Sequence, residues 1–261
     1  MKFSIITPSY NQGQYIKDTL ESVISFQSNI SLEHIVVDGG STDETVAILS
    51  SYSAIYPNLI WSSSPDHGQS DAINKGLKLA TGDIVAYINS DDYYLPDSFR
   101  IVMSIFEEYP EVDFIYGDMF LVNSEKLIMR SVKSTRTSMW QHLYVFGFPQ
   151  QTCFWRRKII NKIPEFNINN KTCMDREYFA HMIKHKITFC RISQPIACFR
   201  IHENSITGSG RLSKQYQQDQ KLILKEFSST LYLHKSLLHL IGKIIKQIDL
   251  ARRSEIEIFS P

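Results

Sequence analysis

The chain has 261 residues, and its 28 basic side chains nearly balance its 27 acidic ones, for a net charge of +1. Hydrophobic residues make up 43% of the sequence and aromatic residues 12%, which is ample for the core of one large α/β domain or of a domain with an appendage. The near-neutral charge gives no electrostatic case for nucleic acid as a partner, so we exclude that class of function.

The cysteines lie in apolar or aromatic surroundings, and no two of them form a Cys-x-x-Cys pair: Cys153, Cys173, Cys190 and Cys198. This pattern predicts buried free thiols in a reducing compartment rather than disulfides or a zinc site. No secretory signal is apparent after Met1, and no apolar run has the length of a membrane span. We therefore expect a cytoplasmic protein, either free or at the inner face of the cell membrane.

Strands and helices are predicted to alternate over the first hundred residues. Short apolar runs predict strands at 3–7, 34–37, 59–61 and 84–88, and amphipathic patterns predict a helix after each. Asn11 with Gln14, and Ser41 with Glu44, resemble capping boxes for the first two helices. This alternation predicts an α/β fold in which helices cover both faces of a mostly parallel sheet.

Two adjacent carboxylates, Asp91 and Asp92, come directly after the strand at 84–88. Asp38 likewise follows the strand at 34–37, so these acids converge on the carboxyl edge of the sheet, where open α/β sheets bind ligands. Paired carboxylates suit a hard divalent cation. Plainer interpretations stay open: a helix cap for Asp91 and Asp92, and a turn for Asp38.

Two later features concern the packing of the sheet. The strand predicted at 112–116 ends in Gly117-Asp118, where Asp118 either faces the site or belongs to a turn. Phe154 and Trp155 are adjacent on another predicted strand, so one should point inward and the other outward.

Four motifs carry a resemblance: Thr7-Pro8-Ser9-Tyr10-Asn11, Val36-Val37-Asp38-Gly39-Gly40-Ser41-Thr42-Asp43, Asp66-His67-Gly68-Gln69-Ser70-Asp71-Ala72-Ile73-Asn74-Lys75-Gly76 and Asn89-Ser90-Asp91-Asp92. In the order and spacing of these four motifs, the chain resembles the family 2 glycosyltransferases. With later motifs, the resemblance covers residues 1–207. It implies an inverting enzyme of the GT-A fold, with a single Rossmann-like sheet that binds a nucleoside diphosphate sugar.

The resemblance also implies roles for residues on the donor side. Thr7 and Tyr10 are expected to border the nucleobase, and Asp38 to hydrogen-bond it. Asp91 and Asp92 are expected to hold the ribose and the metal ion that bridges the diphosphate, with Asp92 as the metal residue. A divalent cation held in this way neutralises the charge that develops on the leaving group.

Further donor-side residues come from other motifs. Asn74 belongs to the third motif and is expected to bind the nucleotide sugar. Arg200 and His202 look like the family's Arg-x-His segment near the diphosphate, with His202 as a second metal ligand. Asn89 and Ile73 depart from the commonest pattern, which has Asp and Arg at these places, so diphosphate binding should depend more strongly on the metal.

On the acceptor side, Gln150 and Gln151 are expected to hydrogen-bond sugar hydroxyls. Asp175 stands where the family's Glu-Asp motif keeps its acid, with Met174 in place of the Glu, and the resemblance implies that it is the catalytic base. Inversion by direct displacement needs one carboxylate to take the proton of the acceptor hydroxyl. Glu177 is the second candidate, and a contribution to the helix dipole is the plainer interpretation of Asp175.

The chain is predicted to divide into a catalytic domain at 1–210, with a nucleotide-sugar-binding half at 1–118 and an acceptor-binding half at 119–210, and a C-terminal helical extension at 211–261. Within the extension, 231–253 predicts an amphipathic helix with an apolar stripe opposite a basic face. Such a helix contacts an anionic membrane, packs on the domain, or forms the seam of a homo-oligomer.

Taken with the resemblance, the sequence predicts transfer of a sugar from a nucleoside diphosphate sugar to a hydroxyl of a glycan or lipid-linked acceptor. The expected nucleotide of the donor is uridine diphosphate. The reaction is expected to invert the anomeric carbon, to need Mn²⁺ or Mg²⁺ and to serve polysaccharide or cell-surface glycan synthesis. Two alternatives remain. A sugar-phosphate nucleotidyltransferase would carry a Gly-rich basic loop where Pro8-Ser9-Tyr10-Asn11 stands, and a binding subunit without catalysis would explain Asn89, Ile73 and Met174.

Overall fold

The computed structural model describes residues 1–24, 30–145, 147–203, 205, 212–228, 243–245, 247–251 and 254–260. The strands are β1 (Lys2–Ser9), β2 (Ser31–Asp38), β3 (Leu59–Ser63), β4 (Ile84–Tyr87), β5 (Tyr93–Tyr94), β6 (Phe114–Val122), β7 (Ile128–Val132), β8 (Phe154–Arg156), β9 (Phe189–Arg200) and β10 (Ile256–Phe259). The helices are α1 (Ile16–Ile24), α2 (Thr45–Ser53), α3 (Gln69–Leu79), α4 (Ser98–Glu108), α5 (Met139–Tyr144), α6 (Met174–Lys184) and α7 (Ser213–Phe227).

The strands form one sheet whose main path runs in the order β10-β9-β6-β8-β4-β1-β2-β3, with β5 and β7 paired beside it. β3, β2, β1 and β4 are parallel neighbours, and β6 is parallel to β9. The antiparallel pairs all involve a strand of five residues or fewer, namely β5, β7, β8 or β10. The predicted α/β fold with a largely parallel sheet is confirmed.

Apolar side chains cover both faces of the sheet. Trp155 belongs to one buried cluster and Phe154 to another, and each side chain is 0% exposed. Neighbouring residues of a strand point to opposite faces, so each face receives one of the two rings. The expectation that one ring points outward is wrong, because this sheet is buried on both faces. The four cysteines are free and buried, as predicted.

Helix α3 lies close to β1 at Gly76. A Cβ atom at this position would meet the Ile6 Cγ2 atom at 2.4 Å, so a larger residue would push the helix away from the sheet. The first residue of the helix, Gln69, reaches the carboxyl edge of the sheet and donates a 2.6 Å hydrogen bond to Asn89 Oδ1. Gly76 thereby helps to place the start of α3 against the end of β4.

The two predicted capping boxes are wrong. α1 begins only at Ile16, and the Asn11 side chain instead accepts the Thr42 N–H at 2.9 Å. α2 begins at Thr45, while the Ser41 hydroxyl donates to Asp38. Both polar side chains therefore fix the loops after β1 and β2, which are neighbours only in the folded chain.

β6 continues through Gly117-Asp118 to Val122, so the predicted end of this strand is also wrong. Asp118 is 0% exposed, accepts two 2.9 Å hydrogen bonds from Ser134 N and Oγ, and lies 3.2 Å from Lys133 Nζ. It joins β6 to the segment after β7, so the turn interpretation is wrong, and a role at the site stays a prediction.

The C-terminal residues contribute to the main sheet. β10 pairs antiparallel with β9, and the fully buried Arg191 guanidinium of β9 lies 2.7 Å from Glu257 and 3.2 Å from Asp249. α7 packs through a buried cluster made of Leu143, Cys173, Ile223 and Leu224. The predicted extension at 211–261 thus contains a strand as well as helices, and the domain boundary at 210 stays a prediction.

Most of the amphipathic helix predicted at 231–253 lies outside the described residues. Its described parts, 243–245 and 247–251, are helical, and Ile244, Ile245 and Ile248 are exposed. Among the residues that the structure describes, no helix combines the length and the apolar content that crossing a bilayer requires.

Candidate active site

Asp92 lies beneath the carboxyl edge of the sheet and is 0% exposed. Its Oδ1 accepts the Arg200 backbone N–H at 2.9 Å, and its Oδ2 accepts Gln151 Nε2 at 3.1 Å and Asn89 Nδ2 at 3.3 Å. Burial, and then the charge of Asp91, raises the pKa of the Asp92 carboxyl. Asp92 therefore joins three separate segments. The helix-cap interpretation is wrong, because α4 begins only at Ser98.

Asp91 and His202 form a pair next to Asp92. Asp91 Oδ2 lies 3.0 Å from His202 Nε2, and the imidazole ring packs against Tyr15 with ring centroids 4.3 Å apart. A carboxylate oxygen and an imidazole nitrogen at this separation are ligand types that divalent transition metals accept. The Asp92 oxygens already accept three hydrogen bonds, and which of these residues holds a metal ion stays a prediction.

The Arg200 side chain points toward α1. Its guanidinium lies 2.6 Å from Asp18 Oδ2 and over the rings of Tyr15 and Tyr93, at 4.8 and 5.4 Å from their centroids. Burial acts to raise the pKa of Asp18, but hydrogen bonds from Lys126 and Arg200 hold this pKa below its usual value. Arg200 is 1% exposed. These contacts give the guanidinium a structural partner in Asp18, and its contact with a diphosphate stays a prediction.

Thr7 and Tyr10, predicted at the nucleobase, differ in accessibility. The Thr7 hydroxyl lies 2.9 Å from His34 Nε2 and is fully buried, whereas Tyr10 is 60% exposed. Burial lowers the pKa of His34 to about 3, so this imidazole is neutral at physiological pH. A ligand can reach Tyr10 directly, while the Thr7 side chain supports the edge from below.

Asp38 is 1% exposed and anchors the turn after β2. Its Oδ2 accepts Gly40 N–H at 3.1 Å, Ser41 N–H at 2.8 Å and Ser63 Oγ at 2.6 Å. Gly40 has φ of 83°, a conformation that favours glycine. The turn interpretation of Asp38 therefore describes its contacts, and its contact with a nucleobase stays a prediction.

Asn74 holds the backbone of the chain at Phe166. Its Nδ2 donates to the Phe166 carbonyl at 2.8 Å, and its Oδ1 accepts the Phe166 N–H at 2.9 Å. Both polar atoms of the Asn74 side chain are thus hydrogen-bonded to the backbone of Phe166, and Asn74 is buried. We therefore leave Asn74 out of the donor site that we propose below.

A cavity of about 410 Å³ opens at the carboxyl edge and brings together the predicted base and the predicted acceptor residues. Its lining includes Asn89, Gln150, Gln151 and Asp175. Gln150 Nε2 donates to the Tyr87 carbonyl at 2.7 Å, so β4 and the short helix at Gln150–Thr152 support one wall. The sequence-predicted residues of the acceptor side therefore share one space, although their roles stay predictions.

Asp175 is the second residue of α6, and its Oδ1 accepts the Arg176 N–H at 2.7 Å. Burial raises the pKa of this carboxyl, and the backbone and charge of Arg176 offset part of the increase. A carboxylate whose pKa is raised toward the working pH is a stronger general base than an exposed one. The cavity thus offers a basic group beside amide and aromatic side chains.

Glu177, the second candidate for the base, lies outside the lining of this cavity. Its carboxylate accepts hydrogen bonds from Asn167 at 2.9 Å and Asn170 at 2.6 Å. Glu177, His181 and Glu226 also place one ligand atom each within 4.8 Å of one another. This group is separate from Asp91 and His202, and it does not support a catalytic role for Glu177.

The family model described as "Glycosyl transferase family 2" matches residues 4–181. The chain belongs to glycosyltransferase family 2. Relatives agree with this family: the PGL/p-HBAD biosynthesis glycosyltransferase of Mycobacterium tuberculosis is 30% identical over 181 residues, which cover 67% of each chain. The uncharacterized glycosyltransferase YibD of Escherichia coli is 36% identical over 104 residues, covering 40% of this chain and 30% of that protein.

Solved glycosyltransferase structures show the same fold. TarS of S. aureus in complex with UDP-GlcNAc superposes with a TM-score of 0.70 at 21% identity, covering 93% of this chain and 72% of that chain. Glucosyl-3-phosphoglycerate synthase of Mycobacterium tuberculosis, solved with Mn²⁺ and UDP, gives a TM-score of 0.60 at 15% identity, covering 88% and 81%. Membership of this transferase family rules against the nucleotidyltransferase alternative.

Three residues at the candidate site were not among the residues predicted from the sequence. Asp18 pairs with Arg200 across 182 positions, Gln69 bonds Asn89, and Tyr216 of α7 lines the cavity. Gln69 had a usable signal, because it opens a helix directly after a glycine at the carboxyl edge. Asp18 and Tyr216 had no such sequence signal, because each lies in an ordinary amphipathic helix and makes its contact only in the folded chain.

Proposed function

We propose that this family 2 glycosyltransferase moves a sugar from a nucleoside diphosphate sugar, UDP-linked in the first instance, to a hydroxyl group of a glycan or glycolipid, with inversion at the anomeric carbon. One observation carries the proposal: Asp175 and Asn89 line the same cavity. The base candidate and the donor motif after β4 thereby open on one space, as a direct transfer between donor and acceptor requires.

Asp91 and His202 are the residues that we assign to a divalent cation, Mn²⁺ or Mg²⁺, in place of the Asp92 assignment made from sequence. When bound, such a cation supplies Lewis-acid neutralisation of the charge on the diphosphate leaving group. Asp92 then acts through position, since its carboxylate fixes the backbone of Arg200 and the side chain of Gln151 around the pair.

Asp175 acts as the general base. Its Oδ1 is occupied by the Arg176 N–H, so Oδ2 takes the proton of the acceptor hydroxyl. As this proton leaves, the acceptor oxygen forms a bond to the anomeric carbon, the bond from that carbon to the phosphate oxygen breaks, and the nucleoside diphosphate departs with the electron pair. Gln150 and Gln151 line the cavity where the acceptor hydroxyls would be oriented.

The choice of first substrates follows from the structural neighbours. TarS was solved with UDP and with UDP-GlcNAc, glucosyl-3-phosphoglycerate synthase with Mn²⁺ and UDP, and a mannosyltransferase of Pyrobaculum calidifontis with GDP-Man and Mn²⁺. Uridine donors with Mn²⁺ are therefore tested first, and guanosine donors second. A cytoplasmic location and peripheral membrane contact through 231–253 complete the proposal, because a lipid-linked acceptor would lie at the membrane.

A thermal-shift screen of nucleotide sugars, with and without Mn²⁺ and followed by a product assay on glycan and glycolipid acceptors, tests this function. The expected result is metal-dependent stabilisation by one nucleotide sugar, followed by release of its nucleoside diphosphate and a β-linked product from an α-linked donor. Metal-dependent binding with no product on any acceptor would instead identify a binding subunit. Retention of the donor's anomeric configuration would overturn the inverting mechanism.

A further inference from the structure

One residue of α7 lines the cavity, and the residues that follow it on the same face of the helix are buried. Tyr216, Asp219 and Ile223 follow one another at helical spacing, so they lie on the same side of the helix. Ile223 and Asp219 are each 2% exposed, whereas Tyr216, at the start of the helix, is 44% exposed and lines the cavity with Asp175. The helix is thus held along its length and presents its first aromatic residue to the site.

Asp219 fixes the turn that leads into α6. Its Oδ2 accepts the Lys171 N–H at 3.1 Å, the Thr172 N–H at 3.1 Å and the Thr172 hydroxyl at 2.7 Å, and its Oδ1 accepts Gln215 Nε2 at 2.6 Å. A buried carboxylate with these donors holds the backbone in one position. Lys171 and Thr172 also line the cavity, and Asp175 follows three residues later.

Tyr216 offers the surface that a sugar ring needs. A tyrosine presents an apolar ring face and a polar tip, which complement the C–H face and the hydroxyl edge of a pyranose. The cavity volume, about 410 Å³, is in the range of small-ligand sites. Because Asp175 lines the same cavity, a ring lying on Tyr216 would share that space with the base.

We propose that α7 forms a wall of the acceptor site: Tyr216 is the platform for the acceptor's sugar ring, and Asp219 is a positioning residue that fixes the turn before the base. This inference rests on the proposed function and deepens it by naming the acceptor as a pyranose-bearing glycan or glycolipid. It also makes residues after position 210 part of the catalytic centre rather than of a separate extension.

Kinetics of the full chain with the donor and acceptor found in the substrate screen test the platform. Tyr216→Ala should raise the acceptor KM roughly tenfold, a change typical of losing one aromatic contact, while the donor KM and the slow hydrolysis of donor without acceptor stay unchanged. Tyr216→Phe should keep most of the acceptor affinity. Leu222→Ala is the matched control, because Leu222 is 66% exposed on the same helix and lies outside the cavity lining.

Asp219 is tested by the same two activities. Asp219→Ala should lower transfer and the slow hydrolysis of donor at least tenfold, because both use the base that follows the turn, while donor Kd stays near the wild-type value. Asp219→Asn, which keeps one acceptor oxygen, should recover part of both activities. Wild-type activities in Asp219→Ala, or loss of donor binding together with activity, would overturn its positioning role. Melting curves verify folding, and Tyr216→Leu replaces Tyr216→Ala if the latter does not fold.

The outcomes separate this inference from the proposed function. An unchanged acceptor KM in Tyr216→Ala, or in Tyr216→Leu, overturns the platform while wild-type transfer leaves the proposed function intact. Failure of the wild-type chain to transfer sugar to any acceptor overturns both.

Discussion

Asp91 and Asp92 are adjacent in sequence and differ in their surroundings. Asp92 is enclosed and accepts hydrogen bonds from Arg200, Gln151 and Asn89, whereas Asp91 faces the imidazole of His202. The sequence predicts that acids gather at this edge, and they do. It could not tell which acid faces outward, because that depends on where β9 and the helix at Gln150–Thr152 pack against the end of β4.

We expect substitutions at these two acids to separate metal binding from stability. Asp91→Asn should abolish the Mn²⁺-dependent gain in donor affinity, because an amide lacks the charge that holds a cation next to diphosphate. Asp92→Asn should keep the metal dependence and lower the free energy of unfolding by about 1–3 kcal/mol, because the new NH₂ group would face hydrogen-bond donors. Calorimetric titration with nucleotide sugar and urea denaturation measure the two effects. Loss of metal dependence in Asp92→Asn alone would restore the assignment made from sequence.

Residues of the candidate site were predictable where they belong to a sequence motif. Contacts that form only in the folded chain were not predictable. Asp175, Gln150 and Gln151 were predicted from motifs, and the structure places them around one cavity. By contrast, the hydrogen bonds from Asn74 to the Phe166 backbone were not predicted, and the ligand contact that the motif suggests for Asn74 stays a prediction. A polar residue in a family motif can serve the loop next to the ligand rather than the ligand itself.

Among the elements, alternating strands and helices were predictable from apolar periodicity alone, whereas their ends were not. β10 had a weak signal, since Ile256, Ile258 and Phe259 are interrupted by Glu257. Four residues at the end of a chain give too short a pattern to distinguish a strand from an irregular tail. The pairing with β9, and the partnership of Glu257 with Arg191, supply the stabilisation that local sequence lacks.

Truncation after Ser228 should destabilise the catalytic domain. It removes Asp249 and Glu257, which compensate the fully buried Arg191, and a buried charge that loses its partners costs about 3–5 kcal/mol. Thermal denaturation should show a much lower melting temperature, partly recovered when Arg191→Met is added to the truncated chain. Equal melting temperatures for the truncated and full chains would contradict this account of the C-terminal strand.

Membrane contact is better tested in the full chain, by removing the described part of the apolar stripe. Replacing Ile244, Ile245 and Ile248 with serine should weaken sedimentation with anionic liposomes at low salt at least tenfold, because burying an isoleucine is worth about 1.5–3 kcal/mol. Ile55→Ser with Leu79→Ser is the matched control, since both residues are exposed elsewhere. If the wild-type chain ignores such liposomes, the stripe serves a protein contact instead.

Two imidazoles that are buried in neutral form should each contribute stability that is lost in mild acid, opposite in sign to the contribution of the Asp92 and Asp175 carboxyls, whose pKa burial raises. Burial lowers the pKa of His34 and of His142 from 6.5 to about 3. Between pH 3 and pH 6.5 the unfolded chain binds protons at these imidazoles that the folded chain does not bind. The stabilisation that each neutral imidazole contributes above pH 6.5 is therefore lost toward pH 3, at about 1.4 kcal/mol per pH unit. Urea denaturation from pH 7.5 to 4.5 measures this slope.

The variant His34→Gln should remove the contribution of one imidazole from that slope, and His185→Gln, at an exposed imidazole, is the matched control. An identical pH dependence in His34→Gln and in the wild-type chain would contradict the neutral buried state of His34.

The central claim is that Asp175 takes the acceptor proton in a transfer from a nucleotide sugar. Single-turnover transfer, measured with donor affinity in Asp175→Asn and in Glu177→Gln, tests it most directly. We predict that Asp175→Asn slows transfer by roughly a hundredfold or more while donor Kd is nearly unchanged, the range for loss of a general base. Glu177→Gln should transfer near the wild-type rate. Wild-type turnover in Asp175→Asn, or loss of donor binding while bound donor is still transferred, would contradict the account.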